Sequence, residues 1–497
     1  MKKLKVLLKD LPEAILRGNK ENSITGLCAY SKLVAPGNLF IAKRGLQVDG
    51  NRFVEEAVNA GAVAILSDLY DPFLSPHVTQ IVHPDVSRAE AVLASAYYEN
   101  PSEHLFLVGV TGTNGKTTTT YILRHLLSEA GHPCGLIGTV EWDLGQKIQP
   151  ALQTTPDCIT NCRLLREMIN AGCRSAVMEV SSHGIDQGRV RNLEFDVGVF
   201  TNLSQDHLDY HHTMENYGAV KAQFFASLND NQPAKEWPKT AVTNIDSPWS
   251  SHMMARCTAK QLTYSLKQNA DLEASNIHLD GSGTSFDLHY QGQKIRVKSH
   301  LIGRFNIYNL LAATSVALIY GMSLEMIVEK IYTFTGVPGR LQQIPNSLGL
   351  FVFVDFSHKE EALRSVLTTL REISNQRIIT VFGCGGDRDR SKRAKMGRVA
   401  TELSDLSIIT SDNPRHEDPE AIIAEILQGC SESQRFIVEP DRRKAIFYAI
   451  EQAQPGDTVL IAGKGHERQQ IFGSRVIEFD DCAITKEALE STSKLGV

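Results

Sequence analysis

From Leu105 the chain alternates short apolar runs with longer amphipathic ones. The run "LFLVGV" gives way to a Gly/Thr/Asn loop and then to "KTTTTYILRHLLSEAG", whose spacing predicts a helix closed by Gly131. The run "TNCRLLREMINAG" predicts a helix before the strand "SAVMEVSS", and "FDVGVFTNLS" predicts another strand. Strands and helices in this order imply a parallel sheet covered on both faces. Upstream, "GNLFIAK" and "AVAILSD" predict strands around the helical "NRFVEEAVNAG", a small α/β domain over 1–99. "YENPSEH", broken by Pro101, marks the boundary.

Residues 260–300 alternate polar and apolar positions around Gly-rich turns, which predicts antiparallel hairpins appended to the parallel sheet. The helical "NIYNLLAATSVALIYG" follows, then "TGVPGRLQQIPNSLG" as a second linker. From Phe351 the strands "FVFVDFS", "RIITVFG", "LSIITSD" and "TVLIAGKG" alternate with helical runs, a Rossmann-like arrangement. The expected fold is α/β in three domains: 1–99, a central 100–337 with an added antiparallel sheet, and 338–497. No internal repeat is seen.

Composition narrows the function classes. The net charge of -6 argues against nucleic acid as the main partner. No apolar run approaches the ~20 residues of a membrane span, and Lys9, Asp10 and Glu13 interrupt any signal-peptide core. Nine cysteines without paired metal spacing point to reduced thiols and a cytoplasmic location.

The loop "VTGTNGKTTTT" carries the first chemistry. Amides exposed by Gly112 and Gly115 can face phosphate oxygens at a helix N-terminus. Lys116 would neutralise β- and γ-phosphates and Thr117 would ligand Mg²⁺. Val110 occupies the first glycine position of the general motif, so the fit is incomplete. Glu179 ends a strand of the same sheet, where it is either a solvated strand end or a carboxylate for Mg²⁺. "TNLSQDHLDYHH" crowds Asp206, His207, Asp209, His211 and His212 at the next strand end, a solvated loop or a metal site through His207. Lys221 lies on an apolar stripe with Tyr217, Phe224, Phe225 and Leu228. It either snorkels to water or is desolvated into a neutral amine able to take up CO₂ as a carbamate.

These segments, with "GRFNIYNLLAA", "GVPGRLQ", "FGCGGDRDRSKRAKMG", "TSDNPRHEDP" and "AGKGHERQQ", together resemble the Mur ligase family, ATP-dependent amide-bond formers of peptidoglycan precursor synthesis. The last three resemble its meso-2,6-diaminopimelate-adding branch. The resemblance spans essentially the whole chain. It implies that Gly112, Thr113, Asn114, Gly115, Lys116, Thr117 and Thr118 bind ATP, with Asn306, Arg340 and Asp355 around the adenosine and phosphates. It implies Mg²⁺ on Thr117, Glu179, His207 and a carbamoylated Lys221, and a UDP-linked peptide on Ser31, Gln47, Thr154, Thr155, Ser181, Gln187 and Arg189. Arg388, Asp412, Asn413, Pro414, Arg415, Gly463 and Glu467 would face the incoming amino acid. Val110 agrees with the family.

The implied reaction passes the γ-phosphate of ATP to a D-glutamyl γ-carboxylate of UDP-MurNAc-L-Ala-D-Glu, and the amine of meso-diaminopimelate then attacks the acyl phosphate. Lys116, Lys221, His207, Glu179 and Arg340 are its catalytic set; L-lysine as the amine, or a folylpolyglutamate synthetase-like ligase, is the alternative. The partners expected are small molecules and the chain a monomer. Two departures stand out: Tyr30-Ser31-Lys32 replaces Asp-Ser-Arg, and "DFSHKE" has Glu360 where the family has proline, which puts that loop's shape in question.

Overall fold

The computed structural model describes residues 1–45, 48–228, 235–431 and 435–495. Two compact units emerge, Met1–Leu272 with Ala312–Ser323, and Glu273–Leu311 with Leu324–Val497.

The first unit holds two large sheets, besides the short antiparallel pair Lys2–Lys3 and Ser23–Ile24. The N-terminal one orders Ile15–Arg17, Thr79–Val82, Ala64–Ser67, Asn38–Ile41 and Gly26–Cys28, parallel except at the first strand. The larger one runs from the hairpin Ile148–Pro150 and Glu141–Asp143 through Cys134–Ile137, Ser175–Glu179, Phe106–Thr111, Val197–Phe200, Thr240–Asn244 and Lys260–Ser265. The last six are parallel. Every residue of Phe106–Thr111, Ser175–Glu179 and Val197–Phe200 is buried. Burial on both faces explains why these strands read as unbroken apolar runs. The register pairs Glu179 with Val110 and Phe200 with Thr111, so three strand ends line up at one carboxyl edge.

Lys260–Ser265 corrects one expectation: it extends the parallel ladder beside Thr240–Asn244 instead of opening a hairpin. The strand is only half buried, so it lacks the unbroken apolar run of its neighbours, and periodicity does not report direction. The expected hairpin is found further on, where Gly283–Tyr290 and Gln293–Ser299 pair antiparallel from Thr284 with Ser299 to Tyr290 with Gln293.

In the second unit the sheet order is Gln342–Ile344, Phe351–Asp355, Thr458–Ala462, Ile378–Phe382, Leu406–Ile409 and Phe436–Val438. All but the first strand are parallel. Helices Glu360–Ile373, Lys392–Leu403, Pro419–Leu427, Arg442–Gln452 and Asp481–Leu495 accompany it. Gln342–Ile344 lies inside the stretch expected to be a linker. Two glutamines are tolerable on an edge strand, and Pro345 ends it, so the segment carried turn residues yet still paired. The hairpin Gln469–Phe472 and Arg475–Glu478 and the helix Leu324–Thr333 were not anticipated. "DFSHKE" resolves cleanly: Glu360 is the first residue of its helix, and Lys359 before it has φ −127° and ψ 154°. Proline requires an extended residue before it and favours the first helical position, so the loop keeps the proline shape without the proline.

Candidate active site

The phosphate-type loop connects the strand Phe106–Thr111 to the helix Lys116–Glu129. Gly112 (φ 150°) and Gly115 (φ 85°) turn the chain in conformations open to glycine. A Cβ on Gly112 would collide with Thr201 Oγ1. The loop is pinned by the neighbouring strand end: Thr113 N donates to Asn202 O (2.8 Å), Asn114 N to Asn202 Oδ1 (3.1 Å), and Thr201 Oγ1 to Asn114 O (2.6 Å). Lys116 Nζ lies back across the loop, donating to the carbonyls of Gly112 (2.9 Å) and Thr113 (2.8 Å). Val110 is wholly buried inside the strand.

Glu179 is buried, which decides against a solvated strand end. Its Oε2 accepts from Thr117 Oγ1 (3.1 Å) and Thr139 Oγ1 (3.0 Å), and its Oε1 from Thr139 N (2.8 Å). His207 takes a left-handed backbone (φ 54°) and packs its ring against His183 at 4.9 Å, with Asp206 Oδ2 at 3.6 Å from its Nε2. Among the described residues no group of three or more His, Cys, Asp or Glu could hold a metal ion unaided. A carboxylate beside a threonine hydroxyl matches instead the sparse protein contribution to a Mg²⁺ that takes its other oxygens from phosphate and water.

Lys221 sits on the helix Met214–Ala226 among buried Tyr217, Phe224 and Phe225. Its side chain does not snorkel: the residue is 1% exposed. Nζ donates to Gly112 O (3.1 Å) and Thr111 Oγ1 (3.3 Å) and lies 4.9 Å from the centroid of the Tyr217 ring. Loss of hydration, and secondarily the charge of Lys116, hold its pKa well below that of an ordinary lysine.

Of the residues expected around the UDP-linked peptide, Thr154, Thr155, Ser181, Gln187 and Arg189 are joined in one hydrogen-bonded group with Thr139 and Glu179. Thr155 Oγ1 donates to Glu179 O (2.8 Å) and accepts from Ser181 N (3.0 Å). Arg189 donates twice to Gln187 Oε1 (3.1 and 2.6 Å), and also to Gln153 Oε1 (3.0 Å) and Thr155 O (2.9 Å). Thr154 Oγ1 meets Thr139 Oγ1 at 3.1 Å. Ser31 opens the short turn Ser31–Leu33, where its carbonyl accepts from Val34 N. Gln47 lies outside the described residues.

A second cluster belongs to the second unit. Asp355 is buried and accepts from the amides of Leu341 (2.7 Å) and Ser357 (2.8 Å), and from the Ser357 hydroxyl. Arg340 lies over the Phe356 ring at 5.1 Å, and its buried Nε has no partner among the described residues. The same Phe356 ring meets His358 (4.5 Å) and His466 (4.9 Å). Burial, reinforced by Arg340, lowers His466 to about 4. Asn306 is turned inward, donating to Ile302 O (2.8 Å) and accepting from Asn309 (2.9 Å).

At the carboxyl edge of this second sheet, Asn413 Nδ2 donates to Glu467 Oε2 (2.7 Å), and Asn413 Oδ1 accepts from Ile471 N (3.1 Å). Arg415 N donates to Ile471 O (2.9 Å) and Gln470 Nε2 to Asp412 O (2.7 Å), so the unanticipated hairpin holds 412–415 in place. Arg415 has φ 54°, a strained backbone for an arginine, and its Nη1 donates to Gly386 O (2.8 Å). A Cβ on Gly385 would lie 2.9 Å from Arg415 Nη1 and 3.8 Å from Arg388 Cγ, which places Arg388 beside Arg415. Pro414 O packs on Gly386, and Gly463 (φ 119°) leaves room for Asp412 Oδ2.

Comparison with known proteins fits this arrangement. Residues 23–98 match the Mur ligase family catalytic domain, 110–317 the Mur ligase middle domain, and 339–465 the glutamate ligase domain of Mur ligases. The UDP-N-acetylmuramoyl-L-alanyl-D-glutamate–2,6-diaminopimelate ligase of Geobacillus thermodenitrificans is 43% identical over 98% of this chain and 99% of its own. The protein of the same name from Listeria monocytogenes is 41% identical over the whole of both chains. A solved structure of a ligase bearing that name superposes with a TM-score of 0.71 at 34% identity, covering 95% of each chain. The chain belongs to the Mur ligase family.

Membership makes it an ATP-dependent, amide-bond-forming ligase. Among the described residues no helix is long and apolar enough to cross a membrane. Two members of this Mur ligase's clusters escaped the sequence reading. Thr139 follows the strand Cys134–Ile137 and meets Glu179 through both backbone and side chain. Lys464 lies fully buried in the Gly-flanked "GKGHE" turn. A lone threonine carries no signal, whereas a lysine between two glycines after a buried strand is a weak one.

Proposed function

We propose that this Mur ligase joins meso-2,6-diaminopimelate to the D-glutamyl γ-carboxylate of UDP-MurNAc-L-Ala-D-Glu, a step of peptidoglycan precursor synthesis. The carrying observation is that Ile471 of one hairpin bonds both Arg415 and Asn413, and Asn413 in turn bonds the Glu467 carboxylate, so a guanidinium-bearing and a carboxylate-bearing residue are tied into one hydrogen-bonded set. Diaminopimelate differs from lysine by a carboxylate beside its distal amine, and it needs both a bidentate cation and an anion.

Transfer of the γ-phosphoryl of ATP to the carboxylate gives an acyl phosphate and ADP. The amine attacks the acyl carbon, and phosphate leaves from the tetrahedral adduct as the amide forms. Loop amides from Gly112 to Thr118 would receive the phosphates, and Lys116 would exchange its two carbonyl acceptors for phosphate oxygens. Arg340, whose buried Nε has no partner among the described residues, would meet an anionic oxygen, while Asp355 and Asn306 would shape the nucleotide surroundings. Thr154, Thr155, Ser181, Gln187 and Arg189 would hold the UDP-linked peptide, with Ser31 and Gln47 at its uridine end.

Mg²⁺ fits the Thr117–Glu179 pair, with His207 and a carbamate on Lys221 as further ligands, and would neutralise charge on the transferring phosphoryl group. A desolvated neutral amine adds CO₂ and releases a proton, so the buried Lys221 suits that modification. Three domains over 1–99, 100–337 and 338–497, a monomeric state and a cytoplasmic location complete the reading; the nine free thiols favour the last.

The test is ADP release in the presence of ATP, Mg²⁺, the UDP-dipeptide and diaminopimelate. Release should require all of them together. Equal ADP release without the UDP-dipeptide would overturn the proposal.

A further inference from the structure

The geometry points to Lys464 as a positioning residue that sets Asn413 and Glu467 for the incoming amino acid. This rests on the reading of the 412–415 and 463–467 segments given above. Lys464 is 0% exposed, and an ammonium has three N–H donors and no acceptor. All three are used: Nζ donates to Asn413 Oδ1 (3.1 Å), Glu467 Oε2 (3.2 Å) and Gln469 O (2.6 Å).

The consequences follow from counting lone pairs. Asn413 Oδ1 accepts from both Lys464 and Ile471 N, so its amide cannot flip without placing an NH₂ against two donors. Nδ2 is thereby committed to Glu467 Oε2 (2.7 Å). Glu467 Oε2 then carries two donors, from Asn413 and Lys464. Its Oε1, on a side chain 37% exposed, is the oxygen left to receive an ammonium from solution. Lys464 never needs to touch substrate. It fixes one amide orientation and occupies one carboxylate oxygen of Glu467, leaving the other for the amino acid.

Removing the ammonium would leave Asn413 Oδ1 and Gln469 O each short of a donor and free Glu467 to rotate. Lys464→Met keeps the length and apolar stem. The KM for diaminopimelate should rise about 30-fold, while the KM values for ATP and the UDP-dipeptide stay within about twofold. A second readout is coupling: added to Asn413→Ala, Lys464→Met should cost far less than it does alone, because the group it orients is gone. Should Lys464→Met not fold, Lys464→Arg supplies the test. Its planar fork retains the charge without the three-way geometry, so a KM rise of about fivefold confined to the amino acid is expected.

An unchanged amino-acid KM in the soluble variant, or equal rises for all three substrates, overturns the assignment of Lys464. The unmodified enzyme run alongside separates the two claims. If it shows no diaminopimelate-dependent ADP release, the proposed function fails; if it does and only the variant result is contrary, Lys464 alone fails.

Discussion

Lys221 shows what one residue's surroundings can do. Its side-chain nitrogen is buried between the Gly112 carbonyl and the Tyr217 ring. Lys221→Ala should abolish turnover, and short-chain carboxylates should partly restore it by replacing carbamate oxygens; wild-type activity in the variant would rule this out. Gly112→Ala forces a side chain into Thr201 and an unfavourable φ, and should lower kcat/KM by ~100-fold or more, given how steeply catalysis falls with misplacement. Full activity there would show the loop to be more compliant than its contacts indicate.

His466 gives a pH effect of defined sign. Folded, it stays neutral until about 4, whereas unfolded it protonates near the ordinary 6.5. Its contribution is therefore complete above 6.5 and lost as pH falls toward 4, by roughly 3 kcal/mol at most. Burial lowers His358 too and adds the same sign. His466→Phe, which keeps a ring against Phe356, should lose less Tm between pH 7.5 and 5 than the unmodified protein. Parallel losses would contradict it. Lys221 was legible because a lysine interrupts an apolar stripe. Lys464 was not, because a turn has no periodicity for a lysine to violate.

Elements at sheet edges separated what the pattern tells from what it hides. The buried strands Phe106–Thr111 and Ser175–Glu179 were plain from their apolar runs, and so was the carboxyl edge they share. Lys260–Ser265, Gln342–Ile344 and the hairpin Gln469–Phe472 with Arg475–Glu478 were misread or missed. Each is short or half-exposed, so partner strands and not the segment's own residues decide pairing. The hairpin matters most, since Ile471 bonds both Asn413 and Arg415. The start of the helix Glu360–Ile373 offers a direct test of the altered loop. Lys359 already has the backbone that a following proline demands, so Glu360→Pro should keep activity and move Tm by no more than about 3 °C. A large loss would show that Glu360 has taken on a task of its own.

Across the whole molecule the nine cysteines form no disulfide, and six are buried. Burial raises Cys134, Cys162 and Cys384 to about 12, which keeps them as unreactive thiols. Ellman's reagent should titrate at most three thiols quickly in the native protein and all nine in denaturant; six fast thiols would contradict the packing. The central claim is the choice of amine. Lysine would leave the Arg415 guanidinium facing a site without its carboxylate, a loss of several kcal/mol. The measurement is kcat/KM for meso-diaminopimelate against L-lysine, in the unmodified enzyme with ATP and the UDP-dipeptide saturating. A preference for diaminopimelate of about a hundredfold or more is expected; comparable values for the two amines would contradict the account.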